Sequence, residues 1–552
     1  MQRTLLALSL LAILPSLALA SDYIGTTEPM AEHAIYFVLT DRFVNGDPSN
    51  DQRDQGGPMH SFDRPVYGPD GDEANVGYLG GDFRGLLDHA DYIRDLGFGA
   101  VWITPIVDNP DQAFLGGDPI SWCSSLTDRG KAAYHGYWGV NFYRLDEHLV
   151  SADLDFAGLT TGLRQAGLLT VLDIVANHGA PAYSAPLQQP GFGQIVDAAG
   201  QLIADHQNLP PEQLDPTGNP LHAFFHSERD LAQLSNIDEG NPAVLDYFAG
   251  AYLQWIGQGA AAFRVDTIRH MPLDFWRAFA ERVRARHPDF YMFGEAYDYS
   301  ADKIAPHTWN ANGRYSVLDF PQKQALAEIF EKGAGFEALL PTLALDGGPY
   351  QNPYELTTFY DNHDMPRMNA SDAGFIDAHH WLFTARGIPV IYYGSEVGFR
   401  RGRAEHAGNR DYFGAQRIAQ APDHPIYQAL QRIARVRANT PALQRGLMLP
   451  LQFEGDQAAF LRVLQHDGQA QTALVLLNKG DVAARFEIDE WLDAGIWTPA
   501  AGLAGETIEL SPGAALRTEL PPHSVRVYVR AGAVIDAALI KRLDALQRAS
   551  ER

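Results

Sequence analysis

The stretch FRVDTIRH, residues 263 to 270, decides the fold, because it places Arg264 and Asp266 directly after an apolar, strand-like run. Three more stretches have the same form: DIVANH at 173 to 178, FGE at 293 to 295 and YDNHD at 360 to 364. In each of them acids or histidines follow a short β-like run. Polar groups at the carboxyl ends of several strands are typical of (β/α)8 barrels. The sequence therefore predicts an α/β protein built on a TIM barrel.

Eight short apolar runs predict the strands of this barrel. Helical patterns such as Phe83 to Leu96, Pro242 to Ile256 and Leu273 to Val283 lie between most of them, as expected for parallel βαβ units. The eight runs are Ala34 to Leu39, Ala100 to Ile103, Leu169 to Ile174, Ala262 to Val265, Tyr291 to Gly294, Tyr315 to Leu318, Leu356 to Phe359 and Val390 to Tyr392.

The 552 residues divide into several expected units. The region after the third run is too long and too rich in Pro, Gly, Gln and Asp to be a simple crossover, which predicts a small excursion domain. Strand-like runs such as Ala458 to Leu464 predict a C-terminal antiparallel β-sandwich. The expected units are a signal peptide (1–20), the barrel (21–178 and 237–440), the excursion domain B (179–236), the sandwich (445–531) and a helical tail (532–552).

Asp266 and Glu295 are the leading candidates for a catalytic pair. Residues i and i+2 of a strand share a face, so Arg264 can hold Asp266 ionised and oriented. Glu295 ends an apolar run that would raise its pKa towards that of a general acid. Glycoside hydrolysis needs such a pair, one carboxylate as nucleophile and one carboxylic acid as proton donor. Asp364 supplies a third acid that could bind sugar hydroxyls.

The ordered motifs, together with AYHGYW at 133 to 138 and GIPVIYYGSE at 387 to 396, resemble the α-amylase family of retaining α-glycoside hydrolases. The resemblance runs from about Ile35 to about Arg530. It implies that Asp266 is the nucleophile, Glu295 the acid/base and Asp364 the transition-state stabiliser. The substrate-binding residues it implies are Tyr137, flanked by His135, with Asp173, His178, Arg264, His363 and, in GNRD, Arg410.

Each of these residues taken singly has a structural reading. Arg264 with Asp266 can be a structural ion pair, His178 and His363 can be buried core histidines, and Tyr137 can be a core aromatic. Their joint occurrence at strand ends favours catalysis, because an interior without a site would not need so many polar groups.

The net charge and the amino-terminal sequence limit the expected binding partners and the expected cellular location. The formal net charge of −26 argues against nucleic acid and anionic membranes, whereas a neutral α-glucan such as starch is unaffected. Arg3, the apolar run Leu5 to Leu14 and a small-x-small site at Ala18 to Ala20 predict an export signal, the alternative being a membrane anchor. We expect a monomer, secreted or periplasmic, with no membrane contact once the signal is removed. Cys123 is the only cysteine, so no intramolecular disulfide is possible.

The resemblance also implies calcium, which prefers oxygen ligands. One implied site uses Asn177, the carbonyl of His270 and a side chain of DLAQLSN at 230 to 236. The motif match selects Gln233 for that side chain and an ungapped count selects Asn236, both neutral, so binding should be weakened. A second implied site, whose alternative reading is an acid-rich turn, consists of Asn45, Asp47, Asn50, Asp51 and Asp82.

The branch of the family is harder to predict. TDRF at 40 to 43 and GGDF at 80 to 83 are similar to cyclodextrin glycosyltransferases. Those transferases carry a bulky aromatic at the cleft centre, where this chain has Arg229 or, by the ungapped count, Ala232. We therefore expect an α-amylase acting on internal α-1,4 bonds of starch or maltodextrins. The alternatives are a cyclomaltodextrinase-, neopullulanase- or transferase-like enzyme, or an inactive maltodextrin-binding protein.

Overall fold

Eight parallel strands form a closed barrel in the computed structural model, which describes residues 22–125 and 127–550. The strands are β1 (Ile35–Val38), β2 (Ala100–Ile103), β3 (Leu169–Ile174), β4 (Ala262–Val265), β5 (Tyr291–Gly294), β6 (Ser316–Val317), β7 (Thr357–Thr358) and β8 (Ile388–Tyr392). Their order in the sheet is β6-β5-β4-β3-β2-β1-β8-β7, and a parallel bridge between Leu318 and Thr357 joins the two ends. Each of the eight predicted runs overlaps a strand, so the predicted (β/α)8 barrel is confirmed. The predicted signal, 1–20, lies outside the described residues.

Helices follow the strands and cover the outside of the barrel. Local sequence fixes several of their ends: Asn241 accepts a hydrogen bond from Ala243 N, and Pro242 occupies the first position of its helix. The pattern predicted as one helix over 83–96 is two helices, because the chain leaves helical geometry at His89. The helices are Thr40–Phe43, Phe83–Asp88, Ala90–Leu96, Phe156–Gln165, Pro242–Gly257, Leu273–Arg284, Ala301–Ile304, Phe320–Phe330, Asp372–Thr384, Gly414–Gln420, Pro425–Ala438 and Pro441–Arg445.

The register of the central strands places polar side chains side by side. Arg264 on β4 pairs with Asp173 on β3 and with Phe293 on β5. Glu295 directly follows β5, and its backbone N–H donates to the carbonyl oxygen of Val265 at 2.8 Å. The carboxyl ends of β3, β4 and β5 therefore converge on one small volume.

An excursion interrupts the barrel between β3 and the helix Pro242–Gly257. Its short strand His178–Pro181 pairs antiparallel with Leu234–Asn236, and Gln194–Val196 pairs with Leu202–Asp205. The excursion returns beside β3, where Ile237 N donates to the carbonyl oxygen of Asn177 at 3.0 Å. Two shorter antiparallel pairs lie earlier in the chain, Pro65–Tyr67 with Glu73–Asn75 and Val107–Asp108 with Asn141–Leu145.

A C-terminal β-sandwich follows the barrel, as predicted. Its larger sheet has the order β9-β10-β11-β16-β13-β14, and β12 pairs with β15. The strands are β9 (Leu447–Glu454), β10 (Gln457–His466), β11 (Gln469–Asn478), β12 (Ala484–Ile488), β13 (Gly495–Pro499), β14 (Ile508–Leu510), β15 (Leu516–Leu520) and β16 (Ser524–Ala531).

The C-terminal tail forms a helix, Ala537–Ser550, whose Asp544 accepts a hydrogen bond from the Tyr23 hydroxyl at 2.9 Å. Across the described part of the chain, every helix is too short or too polar to cross a bilayer.

Candidate active site

Arg264 is the centre of the candidate active site. Its guanidinium is fully buried, and its Nη1 donates to Asp173 Oδ1 and to Asp266 Oδ1, both at 2.8 Å. Its Nη2 lies 2.7 Å from Glu295 Oε2. One cation therefore orients three carboxyl groups that arrive from β3, β4 and β5.

Asp173 is held by two further donors. The indole N–H of Trp102 donates to its Oδ2 at 2.9 Å, and the hydroxyl of Tyr137 donates to the same oxygen at 2.7 Å. Trp102 stacks on Phe37, with ring centroids 3.7 Å apart. Sequence reasoning missed Trp102, because a tryptophan inside an apolar strand looks like an ordinary core residue.

Glu295 has the pKa of a proton donor. Its pKa is raised to about 8, chiefly by burial; Arg264 lowers it, and the nearby Asp364, Asp266 and Asp173 carboxyl groups raise it. Glu295 is thus protonated at neutral pH. Asp266 retains the hydrogen bond from Arg264 and faces His178 Nε2 at 4.0 Å.

Asp364 enters the site from the segment after β7. Its Oδ1 accepts from Arg410 Nη2 at 2.8 Å, and its Oδ2 lies 3.2 Å from His363 Nε2. Tyr137 stacks on His363, with ring centroids 5.2 Å apart and planes inclined by 14°. The structure therefore brings all three candidate catalytic acids and Tyr137 into one cluster.

The three histidines of the site are neutral. Burial lowers the pKa of His135, His178 and His363, and nearby arginines lower the pKa of His363 further. His135 Nδ1 accepts from the backbone N–H of Tyr137 at 3.1 Å, which fixes the turn carrying that ring. Neutral imidazoles can both donate to and accept from sugar hydroxyls.

Two charged residues that sequence reasoning missed lie behind Arg410. Its Nη1 is 3.1 Å from Glu405 Oε1, which is 2.9 Å from Lys131 Nζ. Lys131 is buried and also pairs with Asp128 at 3.0 Å. The one indication in the sequence was that both residues lie close to a motif: Lys131 shortly precedes AYHGYW, and Glu405 shortly precedes GNRD.

The first implied calcium site has a different arrangement from the predicted one. Asp230 accepts a hydrogen bond from Asn177 Nδ2 at 2.9 Å and lies 3.0 Å from His270 Nδ1. Gln233 packs against Gly117 with its Oε1 buried and unbonded, and the Asn236 amide donates to the carbonyl oxygen of Glu228 at 3.3 Å. This donor set fits calcium poorly, because Asp230 is its one carboxylate and Asn177 faces it with its amide nitrogen rather than its oxygen.

The second implied calcium site fits an oxygen-coordinated cation better. Asn45 Oδ1 and Asn50 Oδ1 are both buried and lack a hydrogen-bond partner. Asp51 and Asp82 beside them are buried carboxylates. Asp82 accepts from Gly46 N at 3.1 Å and Asp47 N at 2.7 Å, while the Asp47 carboxylate itself accepts from Ser49 N at 3.0 Å. Unbonded buried oxygens next to two carboxylates are the donors that calcium prefers.

A further group of potential ligands was not predicted. Among the described residues, His226, Asp238 and Glu239 are the three His, Cys, Asp or Glu side chains that come within metal-binding reach of one another. His226 Nε2 lies 2.6 Å from Glu239 Oε2, the distance of a direct hydrogen bond. The group as it stands is a hydrogen-bonded His226–Glu239 pair with Asp238 as a neighbouring acid.

The fold and sequence are similar to those of known alpha-amylases and cyclomaltodextrin glucanotransferases. Residues 37–186 and 219–425 match the model of the alpha amylase catalytic domain. The chain is 25% identical over 542 residues to an alpha-amylase of Niallia circulans, covering 93% of this chain and 94% of that protein. It is 28% identical over 457 residues to a cyclomaltodextrin glucanotransferase of Bacillus licheniformis, covering 80% of this chain and 59% of that protein.

A solved structure shows the same architecture. A cyclomaltodextrin glucanotransferase with a three-domain ABC distribution superposes with a TM-score of 0.72 at 29% identity, covering 91% of this chain and 99% of that one.

Proposed function

Because this chain belongs to the alpha-amylase family, we propose that it is an α-amylase that hydrolyses internal α-1,4-glucosidic bonds of starch and maltodextrins with retention of configuration. The observation that carries the proposal is the Arg264 cluster, in which one guanidinium holds Asp266 and Glu295 together. Burial keeps a proton on Glu295, as a general acid requires.

The reaction follows from this difference between the two carboxyl groups. Glu295 gives its proton to the leaving glycosidic oxygen while the Asp266 carboxylate attacks the anomeric carbon, which forms a glycosyl ester. The resulting Glu295 carboxylate then takes a proton from water, the hydroxide adds to the anomeric carbon, and the bond to Asp266 breaks. Two inversions give retention, for which carboxyl groups about 5 to 5.5 Å apart are required.

The excursion domain supports water as the acceptor. Arg229 lies over the Tyr183 ring at 5.3 Å and pairs with Glu212 at 2.7 Å. Neither Arg229 nor Ala232 offers an aromatic ring that would guide a sugar chain end back into the site. A free maltodextrin end has no platform at this position, so hydrolysis should exceed cyclisation.

A second candidate is a transferase that makes or opens cyclodextrins. The likeness to a transferase of three domains, over 91% of this chain, favours it. The number of domains therefore does not separate the two activities. The acceptor side of the cleft must decide between them.

The remaining proposals concern calcium, location and assembly. When bound, calcium would be held by Asn45, Asn50, Asp51 and Asp82 and would stabilise the loop after β1. The predicted signal supports export, either secreted or periplasmic, and the net charge of −26 supports a neutral glucan as partner. We propose a monomer.

Product analysis tests the proposed function. The purified protein is incubated with soluble starch and separately with β-cyclodextrin, and products are followed by chromatography. Rapid fragmentation of starch into mixed linear oligomers with slow ring opening is expected. Faster ring opening, or new cyclic products from starch, would replace the proposal by the cyclodextrin-active alternative. Binding of maltodextrin without release of reducing ends would leave a binding protein.

A further inference from the structure

A row of alternating charges runs from the protein interior to Asp364. Asp128, Lys131, Glu405, Arg410 and Asp364 carry charges of alternating sign, and successive members are 3.0, 2.9, 3.1 and 2.8 Å apart. They come from three separate segments: residues 128–131, the segment after β7 and the segment after β8. Local structure alone would not align them.

The inner members of the row are buried. The exposed fractions of the Lys131, Arg410 and Glu405 side chains are 5%, 8% and 16%. Each buried ion costs several kcal/mol of desolvation, so such a row is a weak source of stability. Lys131 is connected to the Asp364 carboxylate through Glu405 and Arg410. Because this buried row contributes little to stability, we look for its role in the reaction.

Arg410 is the link to the reacting centre. Its Nε donates to the carbonyl oxygen of His363 at 2.9 Å, and its Nη2 donates to Asp364 at 2.8 Å. Its remaining nitrogen, Nη1, is held by Glu405. Lys131 and His406 fix Glu405 in turn, at 2.9 Å and 3.3 Å. The guanidinium is thus held on both sides.

We propose that Lys131 and Glu405 are positioning residues: they hold Arg410 against Asp364 and set the charge that Asp364 experiences. The proposal rests on the proposed function, since it requires Asp364 to act on the substrate. Neither residue needs to touch the sugar.

The charges around Asp364 predict the direction in which each substitution changes the pKa of Asp364. Burial raises the pKa of Asp364, Arg410 and Arg264 lower it, Glu405 raises it and Lys131 lowers it. Removing the Glu405 charge should make Asp364 more acidic, and removing the Lys131 charge should make it less acidic. The charged and titratable groups that face Asp364 are Arg264, Glu295, Tyr137, His363, Arg410, Glu405 and Lys131.

The test compares Glu405→Gln and Lys131→Met in full-length protein by the pH dependence of kcat/KM on maltoheptaose. We expect kcat/KM to fall by up to about a hundredfold in both variants, because Arg410 is held less firmly against Asp364. Glutamine still accepts a hydrogen bond and keeps Arg410 beside Asp364, so the acid limb should move to lower pH in Glu405→Gln. The limb should move to higher pH in Lys131→Met, and Lys131→Arg should restore the wild-type limb. Lys332→Met, on the surface and paired with Glu328, is the matched control with unchanged kinetics.

Limbs that move in the same direction, or not at all, would overturn the proposal, because a merely structural role gives no opposite signs. If Lys131→Met does not fold, a crystal structure of Glu405→Ala, which removes the acceptor of Arg410 altogether, decides: Arg410 should leave Asp364, and an unchanged Arg410–Asp364 hydrogen bond would overturn the proposal. Failure of the proposed function is seen separately, as a wild-type protein that does not cleave maltoheptaose.

Discussion

Two buried arginines, Arg264 in the barrel and Arg462 in the sandwich, differ in the groups that surround them and therefore in the roles we assign to them. Neither side chain is accessible to solvent. Arg264 faces the carboxyl groups of Asp173, Asp266 and Glu295. Arg462, on β10, donates instead to backbone carbonyl oxygens, including those of Thr384 at 2.9 Å and Gly446 at 3.0 Å.

The pKa values of the two guanidiniums differ accordingly. Burial lowers the pKa of both, but at Arg264 the neighbouring Asp173, Glu295, Tyr137 and Asp266 together hold the pKa above the usual range. At Arg462 burial prevails and lowers the pKa to about 10. Thr384 ends the helix Asp372–Thr384, so Arg462 satisfies carbonyls that have no intrahelical partner. Arg264 therefore orients charged carboxyl groups, whereas Arg462 joins backbone carbonyls of the barrel and the sandwich.

The largest expected effect comes from the acids around Arg264. Asp266→Asn or Glu295→Gln should lower kcat on maltodextrins by several orders of magnitude, because each removes a bond-making or proton-transferring group. Thermal midpoints should stay close to wild type. Steady-state kinetics measures kcat, and thermal melts followed by circular dichroism measure the midpoint. Asp274→Asn, whose side chain is 89% exposed on a surface helix, is the matched control. A variant that kept most of its activity would remove that acid from the mechanism.

The comparison itself is tested by a matched pair, Arg264→Met and Arg462→Met. Arg264→Met should lower kcat by at least about a hundredfold, as loss of a preorganised charge does. Arg462→Met should leave kcat within about twofold below the unfolding transition and cost about 1–3 kcal/mol of stability through unsatisfied carbonyls. Kinetics at 25 °C and thermal melts separate the two. Similar activity losses in both variants would refute the distinction.

The pH profile sharpens the role of Glu295. A general acid works while protonated, and burial raises the pKa of Glu295 to about 8. Activity should therefore fall about tenfold per pH unit above pH 8. The native state keeps this proton up to about pH 8 and the unfolded state loses it near 4.5, so its contribution to stability declines as pH rises between those values. A profile of kcat/KM flat to pH 10 would contradict the assignment.

The smallest expected effect is that of chelation. Excess EDTA should lower the thermal midpoint, because calcium bound only to the native state stabilises it. Asp82→Asn should abolish the difference between melts with and without calcium, whereas Asp230→Asn should preserve it, since the surroundings of Asp230 fit calcium poorly. Identical melting curves in calcium and in EDTA would rule out the metal.

The barrel could be predicted because each strand has a local signal. A short apolar run ending in a polar group, as at Ala262 to Asp266, specifies a buried parallel strand without reference to distant residues. The helix break at His89 was not predicted, because the apolar spacing of 83–96 is continuous through it. Hydrophobic periodicity reports the face of a helix better than its ends.

The site could be predicted only where its residues lie in strand-end motifs. Trp102, Lys131 and Glu405 reach the site from other segments, and their local sequence resembles core or surface. Asp230, rather than Gln233 or Asn236, meets Asn177 because the path of the excursion loop decides which side chain turns inward. Such contacts depend on tertiary packing and leave no spacing to count.

The central claim is that Asp266 is the nucleophile and Glu295 the acid/base of a retaining reaction. Glu295→Gln is incubated with α-maltosyl fluoride, whose leaving group needs no proton, and the protein is analysed by peptide mass spectrometry. A maltosyl ester on Asp266 is expected, and it should persist because no base activates water. No adduct, or an adduct on another residue, would contradict it.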